Sequence, residues 1–257
     1  MLLVILVAAL AAGLTLFSGF GLGSLLLPAF AVFFPLDVAV AATAVVHLAN
    51  NLFKAALLGR YADLRVVAAF AIPGAVAAFA GAWVLHLISE LPTLSVWHLG
   101  GRACQVTTAG VTIGGLILVF AVLELLPRFH RVGFRRELVP LGGLLSGFLG
   151  GLSGHQGALR TAFLVRLGLA RETFLATGIV AAIVIDVVRL SVYAGDFRGQ
   201  LARLEGAGDL VLAGTIAALT GSYVGRRLIH KVTMEGIRLL VGAMLVLLGL
   251  AIAIGVV

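Results

Sequence analysis

Three observations predict an all-α polytopic membrane protein of two inverted repeats, each a glycine-broken (re-entrant or discontinuous) hairpin plus three transmembrane helices. First, the 257 residues are 61% hydrophobic and only 11% charged, with a mean hydropathy of +1.18; a soluble domain carries about a quarter charged residues. Second, two glycine-rich breaks interrupt apolar runs: Ser18-Gly-Phe-Gly-Leu-Gly-Ser24 and Ser146-Gly-Phe-Leu-Gly-Gly-Leu-Ser-Gly-His-Gln-Gly157. Each leads to an Ala-Thr pair within a long apolar segment, Ala42-Thr43 and Ala176-Thr177, 134 residues apart. Third, the charges cluster between apolar runs, the first of them at Asp37. Lipid offers the backbone no hydrogen bonds, so such runs must be helical. Paired broken helices in a membrane chain are a pointer to a transport site.

About 20 apolar residues cross the hydrocarbon core. Runs meeting that length are 37–58, 66–88, 106–126, 171–194, 208–228 and 237–256. The segments 2–36 and 138–169 contain the breaks. The domain reading is one integral membrane unit, with repeat 1 over 1–127 and repeat 2 over 128–257. The first apolar run lacks the basic flank and cleavage site of a signal peptide.

Charge distribution separates two topologies. If each broken segment crosses once, a plain eight-span bundle results, and both faces carry +4. If each is a re-entrant hairpin, 54–65, 128–137, 160–172 and 226–238 share a face carrying +10, and the opposite face carries −2. Basic loops stay cytoplasmic, so the hairpin arrangement is favoured. Three crossings per repeat then invert the second half. The same loops account for the net +7 without nucleic acid. Cys104 is the single cysteine, which excludes an internal disulfide, and no metal or cofactor is expected.

Polar groups inside spans face protein or a pathway, because lipid solvates them poorly. At about 100° per residue, Thr43, His47, Asn50, Asn51 and Lys54 fall on one helical face. That wall of donors suits an anion, although asparagines also join helices and Lys54 is expected to snorkel to the interface. At the second break, His155 and Gln156 precede a half-helix whose N-terminal N–H groups favour negative charge. Gly150, Gly151, Gly154 and Gly157 give access to the backbone there, as do Gly19, Gly21, Gly23 and Ser24 at the first break. Close helix packing is the alternative use of these glycines. Asp186 and Arg189, three residues apart, are placed to neutralise each other, with proton coupling a secondary role. Arg160 and Arg166 are read as interfacial.

Gly19-Phe-Gly-Leu-Gly-Ser-Leu-Leu-Leu-Pro28, Ala41-Ala-Thr43 and Gly147-Phe-Leu-Gly-Gly-Leu-Ser-Gly154 resemble the TauE/SafE sulfite-exporter family, the TSUP transporters, across essentially the whole chain. Ser153-Gly-His-Gln156 and Arg160-Thr161 depart from that family's second break. The resemblance implies movement of sulfite, sulfonates or related organosulfur anions across the bacterial inner membrane, coupled to an ion gradient.

The expected function is therefore a secondary anion transporter working by alternating access, not an enzyme. Its expected partners are a small anion, a proton or other coupling ion, and the bilayer; oligomeric state is left open. The candidate substrate-binding set is Gly21, Gly23, Ser24, Thr43, His47, Asn50, Asn51, Ser153, His155, Gln156 and Thr177. The candidate coupling set is His47, His155, Asp186 and Arg189. A rhomboid-like serine protease is a rival, since Gly151-Leu-Ser-Gly154 and His47-Leu-Ala-Asn-Asn51 resemble its motifs. It needs a base beside Ser153, for which only His155 and His230 follow in sequence. A non-transporting scaffold is the third reading.

Overall fold

The computed structural model describes residues 2–18, 22–126, 133–201, 207–228 and 234–256. Within these the chain is mostly helical: α1 (Leu2–Ser18), α2 (Leu22–Ala31), α3 (Leu36–Leu58), α4 (Leu64–Ser89), α5 (Thr108–Leu125), α6 (Val139–Ser153), α7 (Gly157–Leu164), α8 (Arg171–Leu201), α9 (Ala207–Leu228) and α10 (Met234–Ala253). Among the described residues, Leu36–Tyr61, Leu64–Ser89 and Arg171–Ala194 are long and apolar enough to cross a bilayer, and α1, α5, α9 and α10 supply shorter apolar stretches.

One element corrects the all-α expectation. Between the apolar runs 66–88 and 106–126, β1 (Ser95–Leu99) and β2 (Arg102–Val106) form an antiparallel hairpin. The turn is Gly100-Gly101, both with positive φ (57° and 84°), the conformation a two-residue hairpin turn requires. Trp97 Nε1 donates to the Ile254 carbonyl at 2.7 Å, which satisfies one of the carbonyls orphaned at the end of α10.

Helix ends follow local chemistry. Asp63 caps α4, its carboxylate accepting from the Arg65 and Val66 amides at 2.9 and 3.1 Å. Thr107 caps α5 by accepting from the Gly110 amide at 3.0 Å. Thr107→Ala is expected to lower stability by about 1 kcal/mol, read as a lower thermal midpoint in detergent.

The helices pack through small residues and expose large ones. On α4, Ile72, Val76, Phe79 and Trp83 are exposed, whereas Gly74, Ala78, Gly81 and Ala82 are buried. Lipid is as apolar as leucine, so burial of large side chains drives association little and close backbone contact drives it more. Gly143, Gly147 and Gly151 form a stripe on α6 facing the carbonyls of Phe70, Gly74 and Ala78 on α4. A Cβ at any of the three would come within 2.1 Å of those oxygens. α9 meets α1 with Gly221 against the Ala9 carbonyl and Gly214 beside the Val4 side chain. α5 and α10 run antiparallel, with Gly114 against Gly249 and Gly242 against Leu125.

Two further contacts place the ends of the broken segments. The Phe134 amide, just before α6, donates to the Ala162 carbonyl near the end of α7 at 3.2 Å. The Phe134 and Phe163 rings stack there at 4.2 Å. In the first half, a Cβ at Gly214 of α9 would meet both Val4, near the start of α1, and Phe30, near the end of α2.

Candidate functional site

The polar face of α3 is turned inward. Thr43, His47, Asn50, Asn51 and Lys54 are all buried. For Lys54 this differs from the snorkelling expected of it: at the last turn of α3 the side chain lies against protein. α8 crosses α3 and presents Asp186 and Arg189, both 0% exposed.

Asp186 is the centre of the arrangement. Its Oδ2 lies 2.6 Å from His47 Nδ1 and accepts from Asn51 Nδ2 at 3.3 Å. Its Oδ1 accepts from Gln156 Nε2 at 2.9 Å and from Arg189 Nε at 3.0 Å, with Arg189 Nη2 2.8 Å away. An ionised carboxylate can only accept, so His47 carries its proton on Nδ1. Asn51 Nδ2 is also 3.1 Å from that nitrogen; with Nδ1 already donating, the carboxylate is the acceptor the amide can use. One carboxylate therefore gathers four side chains from α3, from α8 and from the second break.

The break is shaped to deliver Gln156. Gly154 ends α6 in the left-handed conformation (φ 80°, ψ −1°) that glycine adopts without penalty. The chain then turns back, and Ser146 Oγ on α6 donates to the Gln156 carbonyl at 2.9 Å. Arg189 Nη1 donates to the Gly150 carbonyl at 3.0 Å, and the Tyr193 hydroxyl donates to the Gly151 carbonyl. A guanidinium at these last carbonyls of α6 opposes the negative end of the helix dipole. Arg160 is half-buried, not purely interfacial, and its Nη1 reaches Gln156 Oε1 at 3.4 Å.

The other candidates are distributed differently. Thr177 Oγ1 accepts from the Asp63 amide at 2.9 Å and so ties α8 to the start of α4. Nine residues before Asp186, it lies about 13 Å away along the axis. Asn50 Oδ1 accepts from Ser222 of α9 at 2.7 Å. Thr43 Oγ1 and Asn50 Nδ2 have no protein partner among the described residues. Gly21 lies outside the described residues, as do the side-chain surroundings of Gly23 and Ser24. Gly151 serves helix packing, since its open side is filled by Ala78.

Ser153 Oγ donates to the Leu149 carbonyl at 3.0 Å. His155 Nδ1 faces the Ser153 carbonyl at 3.0 Å and Ser153 Oγ at 3.1 Å, and its ring stacks on Phe120 at 5.3 Å. A carbonyl only accepts, so Nδ1 carries the proton and cannot take one from Ser153. This nitrogen does not supply the base a serine protease needs.

Ser146, Arg160, Tyr193 and Ser222 complete the network and were not among the sequence candidates. Tyr193 follows Arg189 by four residues, and Ser222 is a polar residue within an apolar run; both signals were present. A cavity of about 210 Å³ lies elsewhere, between the starts of α4 and α6, lined by Arg65, Arg136, Glu137 and Pro140 among others.

Comparison with curated proteins finds no match. The family model described as Sulfite exporter TauE/SafE matches residues 3–252. Such a family implies an exporter-type membrane transporter with a small-molecule, sulfur-compound anion as its substrate. That fits the apolar helices of an integral membrane protein. On a match spanning nearly its full length, the chain belongs to the sulfite exporter TauE/SafE family.

Proposed function

We propose that the protein is a secondary transporter for sulfite, sulfonates or related organosulfur anions, operating by alternating access in a bacterial inner membrane. The observation that carries this reading is the convergence on Asp186. His47 and Asn51 come from residues 1–127, and Gln156 and Arg189 from residues 128–257. Donors of this kind, held in a dry interior, are what an oxyanion needs in place of water. A junction between two halves is also where rocking of one against the other exposes a site alternately.

The architecture we propose is two inverted repeats, 1–127 and 128–257, each with a re-entrant hairpin. Several contacts support it. The Phe134 to Ala162 hydrogen bond joins the two ends of the second broken segment. Val4 and Phe30, from the two ends of the first, both lie beside Gly214. The partnerships also exchange between halves: α4 runs beside α6 as α9 runs beside α1.

Proteoliposomes containing the purified protein are expected to take up labelled sulfite and methanesulfonate saturably, and acetate poorly. No saturable flux of any of these anions would refute the reading. Gln156→Ala removes one donor to a buried charge, a contact worth about 1.5–3 kcal/mol. It is expected to weaken apparent substrate affinity at least about tenfold, since each 1.4 kcal/mol is a factor of ten. An unchanged KM for methanesulfonate would remove Gln156 from the site.

A further inference from the structure

Resting on that transport reading, we propose that Asp186 is the proton site of the cycle. Its carboxylate occupies the donor cradle as an internal anion, and one proton on the Asp186–His47 pair frees the cradle for one negative charge of substrate.

The cradle is already filled. Both oxygens of Asp186 are engaged, and the donors around it are two amides, an imidazole and a guanidinium. These are the groups that would otherwise bind the oxygens of a sulfur oxyanion. A substrate anion entering beside an ionised Asp186 would set two like charges among one set of donors. At about 4 Å like charges repel far more strongly in a protein interior than in water. The two anions are therefore alternatives, not companions.

The Asp186–Arg189 pair sets the count. Asp186 and Arg189 cancel, and both are fully buried. α3 adds His47 and Lys54, α7 adds Arg160, the break adds His155, and α8 adds Tyr193. The buried face of α4 is apolar residues and glycine, and that of α6 adds only two serines. A proton drawn from the water on the open side forms one O–H bond on Asp186 and takes its charge from −1 to 0. Arg189 is then left buried without its counter-ion, a state that is strongly disfavoured unless an anion replaces the carboxylate. Proton and monoanion thus enter together and leave together. The coupling is symport, one proton per monoanion, and it is electroneutral.

Methanesulfonate is the probe of choice, because it keeps one negative charge throughout the assay range. In wild-type proteoliposomes, a pH gradient acid outside is expected to accumulate it about tenfold per pH unit. A potassium–valinomycin potential without a pH gradient is expected to accumulate none. Asp186→Asn mimics the protonated state. It is expected to lose accumulation driven by the pH gradient. Undiminished pH-driven accumulation in the folded variant would overturn the proposal. Should the variant not fold, a pH-sensitive dye trapped in wild-type vesicles gives the same answer. One proton arriving per anion supports the assignment; methanesulfonate flux with no proton movement overturns it and leaves the transport reading standing. No flux of any anion in wild type overturns both.

Discussion

Arg189→Leu is expected to destabilise the folded protein by about 3–5 kcal/mol, the typical effect of removing one partner of a buried ion pair. Asp186 would lose its counter-ion while fully buried, and the Gly150 carbonyl would lose its guanidinium. The measurement is thermal unfolding in detergent, together with the monodisperse fraction after purification. The double variant Asp186→Leu/Arg189→Leu removes both charges. It is expected to recover most of the loss while remaining inactive in transport, because well-packed apolar residues often replace such pairs at little energetic penalty. Recovery should be incomplete, since the Gly150 contact is not restored. A double variant no more stable than the single would show that something other than the orphaned charge causes the loss, because residues in direct contact are expected to couple.

The second large effect lies at the glycine seams. A Cβ at Gly147 would sit 2.0 Å from the Gly74 carbonyl oxygen, and one at Gly221 would sit 2.0 Å from the Ala9 carbonyl oxygen. The obstacle in both is backbone, which cannot rotate aside, so the helices must separate. Gly147→Ala and Gly221→Ala are each expected to be destabilising by about 3 kcal/mol, the upper part of the usual overpacking range. Valine should abolish recovery of folded protein. Gly115 is the control: a Cβ there meets nothing within 4 Å. Gly115→Ala is expected to be neutral or stabilising by up to about 1 kcal/mol, as helix propensity alone predicts. Equal losses at 147 and 221 would indicate that the two seams support the fold alike. Loss at only one would indicate that a single seam dominates.

The long helices were legible because hydrophobic runs end where charges begin. The run 37–58 became α3 (Leu36–Leu58), and 208–228 became α9 (Ala207–Leu228), each shifted by one residue at the start. The hairpin at 95–106 was missed. Its Gly100-Gly101 turn lies between two short β-prone runs, which is a hairpin signal, but a membrane reading treats short polar stretches as connections.

At the site, helical geometry correctly put Thr43, His47, Asn50, Asn51 and Lys54 on one face, because an α-helix has a single period. The pairing of Asp186 with Arg189 at a spacing of three was legible for the same reason. The meeting of His47 with Asp186 was not, since 139 residues separate them and only tertiary packing joins them. The roles of the two residues consequently shifted. Asp186, read as an arginine's neutralising partner with coupling a secondary role, is the hub of the network, whereas Thr177, marked by its repeat position, ties two helix starts together.

The exchange of partners between the halves also governs how the chain comes to be assembled. α1 buries Val4, Ala8, Ala11 and Ala12, and it lies against α9, which begins about 200 residues later. At synthesis rates of about 5–20 residues per second, α1 waits about 10–40 s for the helix it rests on. Throughout that interval its small-residue seam faces lipid or the insertion machinery. α1 is thus made long before it is seated, and residues 1–127 cannot be a finished folding unit on their own.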